Sequence, residues 1–205
     1  MNSQIDDYIQ HAKQTHKGCL FVISGPSGAG KGTLVKEVLP MFDNLSLSIS
    51  MTTRLPRNNE EHGVNYFFVE REKFQNLIHE EAFLEYATYN GNYYGTPKGF
   101  VWQQLDVGQD IILEIDVQGA MQIKANCPSQ TVQIFILPPS QADLKHRLEQ
   151  RKTESAEVIQ QRLDQVAKEM AQLPGYDYFI INDQLDRATH DLAAIIRAER
   201  LKIRS

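Results

Sequence analysis

Residues 25–33 read Gly-Pro-Ser-Gly-Ala-Gly-Lys-Gly-Thr, the spacing G-x-x-x-x-G-K. Glycines at Gly25, Gly28 and Gly30 open backbone angles closed to other residues, so successive N–H groups can turn inward on phosphate oxygens. Pro26, Ser27 and Ala29 complete the cradle. Lys31 brings a full positive charge to a β- or γ-phosphate, and a helix beginning here adds its positive dipole end. The chemistry is that of a nucleoside triphosphate site. One position departs from the strict pattern, which has Ser or Thr directly after the lysine. Here that place is Gly32. Thr33 follows it and is the candidate hydroxyl toward Mg²⁺, directly or through water.

A second set of chemical residues follows. Arg54 and Arg57 are three apart in a polar stretch, Tyr66 and Tyr94 carry phenols, and Glu85 stands in Phe-Leu-Glu-Tyr. Glu114 and Asp116 close an apolar run, where an acid beside a phosphate loop can hold Mg²⁺ through water. Arg147 and Arg151 are four apart and share a helix face, with Arg162 beyond them. Taken singly, these are ordinary surface arginines, edge-strand acids and packing aromatics.

The elements around them alternate. Residues 19–24 read as a buried strand, 33–39 as a helix stopped by Pro40, and 45–50 as a second strand. Residues 52–65 read as a loop, 66–69 as a strand and 70–80 as a helix. Residues 83–89 and 92–95 form a small sheet turning at Asn90-Gly91. A helix over 97–107, with Pro97 in its first turn, precedes a strand over 111–116. Then come a helix at 117–126, a strand at 132–137, helices at 140–151 and 155–171, a strand at 176–182 and a closing helix at 184–203. Continuous apolar strands separated by helices indicate a parallel sheet covered on both faces, an α/β fold. The stretch 52–96 breaks that rhythm and reads as an inserted lobe.

A length of 205 residues fits one domain with small lobes. The net charge of −5 gives no bulk attraction for nucleic acid or an anionic membrane, so neither is an expected partner. Cys19 and Cys127 lie in no metal-binding spacing and fit a reducing compartment. No apolar run has transmembrane length, and the N-terminal stretch lacks a signal peptide's apolar centre. The chain is read as cytoplasmic.

The joint spacing of the second set resembles the guanylate kinases. Ser50, Thr52, Thr53, Arg54 and Arg57 match S-x-x-T-T-R-x-x-R, and Glu60, Gly63 and Tyr66 match E-x-x-G-x-x-Y. Phe83-Leu84-Glu85, Gly91 through Thr96, and Ile115 through Gly119 match three further segments. The likeness runs from about residue 18 through the arginine-bearing helix at 144–162, Tyr-Asp-Tyr-Phe-Ile-Ile-Asn-Asp and the closing Ile-Ile-Arg-Ala-Glu-Arg. It implies a P-loop NTPase three-layer fold with core 18–50, 97–139 and 170–205, a GMP-binding lobe at 51–96 and a helical lid at about 140–169. It implies the reaction ATP + GMP ⇌ ADP + GDP with Mg²⁺, both nucleotides being substrates.

The resemblance also implies roles. Arg54, Arg57, Tyr66 and Tyr94 would surround the GMP phosphate, where guanidiniums and phenols give directed donors to a dianion. Glu85 would accept the paired N1–H and 2-amino donors that adenine lacks, with Ser50, Thr96 and Asp116 also facing the base. Arg147, Arg151 and Arg162 would belong to the lid, and Asn182 would lie near the adenine. Lys152 stands where the family usually has glycine after the lid arginine. No nucleophilic side chain is implied, because the GMP phosphate attacks directly. Gly32-Thr33 resembles the adenylate kinase loop, yet Glu85 and the Thr-Thr-Arg segment fit guanine. A silent guanylate-kinase-like module binding phosphopeptides is disfavoured because Lys31 and its glycines are intact.

Overall fold

A computed structural model describes residues 5–7, 17–89, 91–127, 131–140, 142–144 and 165–202. Of the helices expected at 140–151 and 155–171, residues 140, 142–144 and 165–171 are described; 142–144 and 165–170 are helical, and Ala171 is a turn. Arg147, Arg151, Lys152 and Arg162 lie outside the described residues.

The central sheet has five strands: β1 (Leu20–Ser24), β2 (Leu45–Leu47), β7 (Asp110–Glu114), β8 (Thr131–Leu137) and β9 (Tyr178–Ile181). Their order is β2-β7-β1-β8-β9, and every pairing is parallel. Every residue of β1 is buried, so its alternating side chains feed two cores. Phe21 and Ile23 pack with α1 (Lys31–Val38) and α5 (Leu185–Arg200) through Leu34, Val38, Leu192 and Ile196. Leu20 and Val22 pack with α3 (Lys98–Asp106) and α4 (Val117–Asn126) through Val101, Leu105 and Ile123. The result is the expected three-layer α/β fold. Each such side chain withdrawn from water contributes about 1.5–3 kcal/mol, so the loop after β1 leaves a strand whose residues are all buried.

A second sheet has the order β4-β3-β6-β5. It comprises β3 (Met51–Thr52), β4 (Phe67–Phe68), β5 (Phe83–Tyr89) and β6 (Asn92–Pro97). Its own small core is aromatic. Phe74 of α2 (Arg71–His79) is fully buried and stacks on Phe83 at 4.4 Å and Tyr93 at 5.3 Å.

The structure corrects several boundaries. The strand expected at 45–50 ends at Leu47, because the chain leaves one sheet there to enter the other at Met51. Thr52, expected in a loop, belongs to β3. Pro97 ends β6 and caps α3 from outside. The strand expected to reach Asp116 stops at Glu114, and Asp116 caps α4, its Oδ1 accepting from the Gly119 N–H at 2.8 Å.

The N-terminal end of the central strands is locked by charge. Asp110 is 0% exposed; it accepts from the Cys19 N–H at 2.7 Å and pairs with Arg200. The Arg200 guanidinium covers the Phe42 ring at 4.7 Å. A buried carboxylate is tolerable only when bonded in this way.

Candidate functional site

The loop between β1 and α1 owes its shape to glycine. Gly25, Gly28 and Gly30 have φ of +143°, +91° and +88°, which L side chains rarely adopt. A Cβ on Gly25 would also collide with the Ile136 carbonyl oxygen of β8. The Lys31 ammonium lies over the loop, donating to the Gly25 carbonyl at 2.6 Å and the Pro26 carbonyl at 3.1 Å. Asn182, expected near the adenine, is 6% exposed and donates from Nδ2 to the Ala29 carbonyl at 2.8 Å. It ties the end of β9 to the loop.

The structure gives Gly32 a physical reason. An ideal Cβ at Gly32 would stand 3.3 Å from both carboxylate oxygens of Glu114. The side chain of a strict motif would therefore press on this acid. Glu114 is open to solvent at the end of β7, yet protein surrounds it on its other sides. That surrounding raises its pKa, and the charge of Lys31 opposes the shift. Thr33 is exposed on the first turn of α1.

In the second sheet the structure brings Arg54, Tyr66 and Tyr94 together. Arg54 forms a two-pronged pair with Glu60, Nη1 to Oε2 at 2.8 Å and Nη2 to Oε1 at 3.0 Å. Its guanidinium carbon lies 5.4 Å from the Tyr66 ring centre and 5.8 Å from that of Phe68. Tyr66 meets Tyr94 edge-on at 6.1 Å. The Arg57 N–H donates to Glu60 at 2.9 Å, while the Arg57 side chain is exposed. Donation by Arg54 and then by the Arg57 backbone pulls the Glu60 pKa down to about 2, and the same pair raises that of Arg54. Thr52 sets the backbone: its hydroxyl donates to the Tyr93 carbonyl at 2.9 Å and accepts from the Arg54 N–H at 3.2 Å. Ser50 is half-buried nearby, its carbonyl accepting from Phe67 at 2.9 Å.

Glu85 is placed by an irregularity. The pairing of β5 with β6 shifts between Phe83 and Glu85, leaving Leu84 for the core and setting Glu85 opposite Thr96. Such bulges re-aim side chains. Glu85 is 6% exposed, and its Oε1 accepts from the Thr96 hydroxyl at 2.7 Å. Burial pushes its pKa up to about 7; the Thr96 bond opposes this and the Asp116 charge adds to it.

The two sheets' polar groups face one another. Glu114 is near enough to raise the pKa of the Tyr66 phenol, after burial and Tyr94. Glu169 feels both Lys31 and Asp116, although burial is the main cause of its raised pKa. Sequence reasoning missed Glu169 as a member of this space, and treated Glu60 and Gly119 only as motif positions. The bulge at Leu84 had no local signal. The bracing role of Thr52 was legible in principle, since threonine in a strand beside arginine suits a backbone bond.

Comparison with known proteins follows the same lines. The profile described as guanylate kinase matches residues 17–199. A guanylate kinase of Syntrophomonas wolfei is 50% identical over 92% of this chain and 96% of its own length. One of Salmonella paratyphi A is 48% identical over 91% of each chain. The crystal structure of guanylate kinase from Anaplasma phagocytophilum superposes with a TM-score of 0.75 at 32% identity, covering 91% of this chain and 88% of that one.

Proposed function

The chain belongs to the guanylate kinase family, and from that premise we propose how its residues divide the transfer of the ATP γ-phosphoryl group to GMP. It is an ATP:GMP phosphotransferase, a P-loop nucleoside monophosphate kinase. In this reading the loop Gly25–Thr33 holds the ATP phosphates with inward N–H groups. Lys31 leaves the carbonyls of Gly25 and Pro26 for the β- and γ-phosphates. Asn182 serves ATP by fixing Ala29.

The lobe 51–96 receives GMP. Arg54, with Arg57, Tyr66 and Tyr94, takes the phosphate. Glu60 keeps the Arg54 fork flat against Tyr66 before substrate arrives, so less rotamer freedom is lost on binding. Glu85 takes the guanine edge, with Ser50, Thr96 and Asp116 beside it. The observation that carries the base assignment is the buried Glu85 carboxylate bonded to Thr96. A buried acceptor pair matched by N1–H and the 2-amino group, and left bare by adenine, discriminates strongly.

Mg²⁺ fits the donor set, because Glu114 and Thr33 offer hard oxygens beside the phosphate loop. These two would hold the ion, in part through water. When bound, it neutralises charge on the β- and γ-phosphate oxygens. Lys31 and Arg54 then flank the transfer from opposite sheets, and an oxygen of the GMP phosphate attacks in line as ADP leaves. The protein supplies alignment and fixed charge. Arg147, Arg151 and Arg162, on the lid at about 140–169, would add positive charge and exclude water. No helix among the described residues is long and apolar enough to cross a membrane, and the reading takes the enzyme to be cytoplasmic.

An ADP-release assay with ATP and Mg²⁺ across GMP, AMP, UMP and CMP tests this. GMP is expected to exceed the others by orders of magnitude. No turnover with GMP would sink the reading.

A further inference from the structure

We propose that Gly119 is the positioning residue that seats the two base-facing carboxylates, Glu85 and Asp116. The observation starts from a poor choice of residue. Gly119 lies in the first turn of α4, and glycine is the weakest helix former after proline. No left-handed backbone angle calls for it there. What calls for it is space. An ideal Cβ at this buried position would stand 2.8 Å from Glu85 Oε2, 3.2 Å from its carboxyl carbon and 3.3 Å from Ile115 Cδ1. Real Cβ atoms do not approach an oxygen at 2.8 Å, so one of the two must move. Glu85 has little freedom to do so, because Thr96 holds the opposite oxygen at 2.7 Å and both side chains are buried.

The backbone of the same residue serves the other acid. The Gly119 N–H donates to Asp116 Oδ1 at 2.8 Å. One residue thus offers a donor to Asp116 and a missing methyl to Glu85. The two acids sit close enough that the charge of Asp116 is felt at Glu85. The strand bulge delivers Glu85 from one sheet, and Gly119 is the gap that receives it on the helix after the other.

This rests on the reading of Glu85 as the guanine acceptor. That reading fails separately if Glu85→Gln leaves the GMP-over-AMP preference unchanged. The Gly119 proposal is tested by Gly119→Ala, made alone and in a Glu85→Ala background. Alone, it should raise the KM for GMP by about tenfold or more and narrow the preference over AMP, with KM for ATP and kcat changed less than about twofold. Alanine is the better helix former but overfills this buried gap, so the melting temperature should fall in the single variant and recover in the Glu85→Ala background, where the obstacle is gone. In the Glu85→Ala background the same change should add nothing to KM, since its partner is gone. If the single variant fails to fold, a normally folded double variant supports the collision with Glu85. A GMP KM within about twofold of wild type, an equal loss in both backgrounds, or misfolding in both overturns the proposal.

Discussion

The two halves of the proposed site are built from different materials. The phosphate loop is backbone, hung from β1, whose residues are all buried between the parallel strands β7 and β8. Its shape is set by left-handed glycines and by carbonyl anchors such as Ala29 held by Asn182. The proposed acceptor half is side chain, carried on a four-stranded sheet with a small aromatic core. Arg54 and Glu85 already have partners before any substrate is present. Arg54 grips Glu60, and Glu85 leans on Thr96. Even its acids diverge: Glu60 falls to about 2 under two donors, while Glu85 rises to about 7 under burial. A backbone site tolerates sequence change around it but not within it. A side-chain site fails one residue at a time.

The sharpest way to break this contrast is mutation in each half. Lys31→Ala should lower kcat by about 10²–10³-fold, the usual cost of removing one fixed charge from developing transition-state charge. GMP affinity should be nearly unchanged. Steady-state kinetics that show a normal kcat would move the donor site elsewhere.

The next largest effect concerns the frame beneath the loop. Arg200→Ala strands the fully buried Asp110 carboxylate and should cost about 3–5 kcal/mol in urea unfolding. The pair in the other half, Arg54 with Glu60, leaves both side chains partly exposed, so its loss should cost less. A loss under about 1 kcal/mol would mean that the lock is not structural.

A smaller effect separates Glu85 from its surroundings by pH. Its folded pKa of about 7 lies above the ordinary 4.5, so the folded chain binds this proton more tightly. The associated stability is full below about pH 4.5 and is lost as pH rises to about 7. It amounts to at most about 3 kcal/mol. In the proposed reading guanine needs the charged form of Glu85, so GMP affinity should move the other way and improve across the upper part of that window. Glu85→Gln should flatten the stability slope and loosen the preference for GMP over AMP. The GMP phosphate also titrates near pH 6, and comparison with Glu85→Gln removes that common part. Parallel slopes in the two proteins would refute the burial argument.

The same contrast explains what the sequence made readable. The loop was legible because its chemistry is contiguous: strand, glycines, lysine and helix occur within fifteen residues of Leu20. The helices expected at 117–126 and 184–203 are found at Val117–Asn126 and Leu185–Arg200. The acceptor half was legible only through the joint spacing of Arg54, Glu85 and Tyr94, since each alone suits a surface or an edge strand. What escaped was tertiary. The bulge at Leu84 depends on how β5 meets β6. Glu169 joins the space through packing of a distant helix. The role of Gly32 depends on Glu114, eighty-two positions away. Asp116 looked like the end of a strand because its neighbours are apolar; its capping bond to Gly119 became visible only with the helix in place.

The central claim is that donor and acceptor halves are separable. Equilibrium titration of Arg54→Ala with GMP and, separately, with an ATP analogue tests it most directly. Arg54 supplies charge-assisted donors to the GMP phosphate in this account, so GMP should bind about tenfold or more weakly. The ATP analogue should bind as it does to the wild-type chain. Equal weakening of both ligands, or unchanged GMP binding, would contradict the division of the site into these two halves.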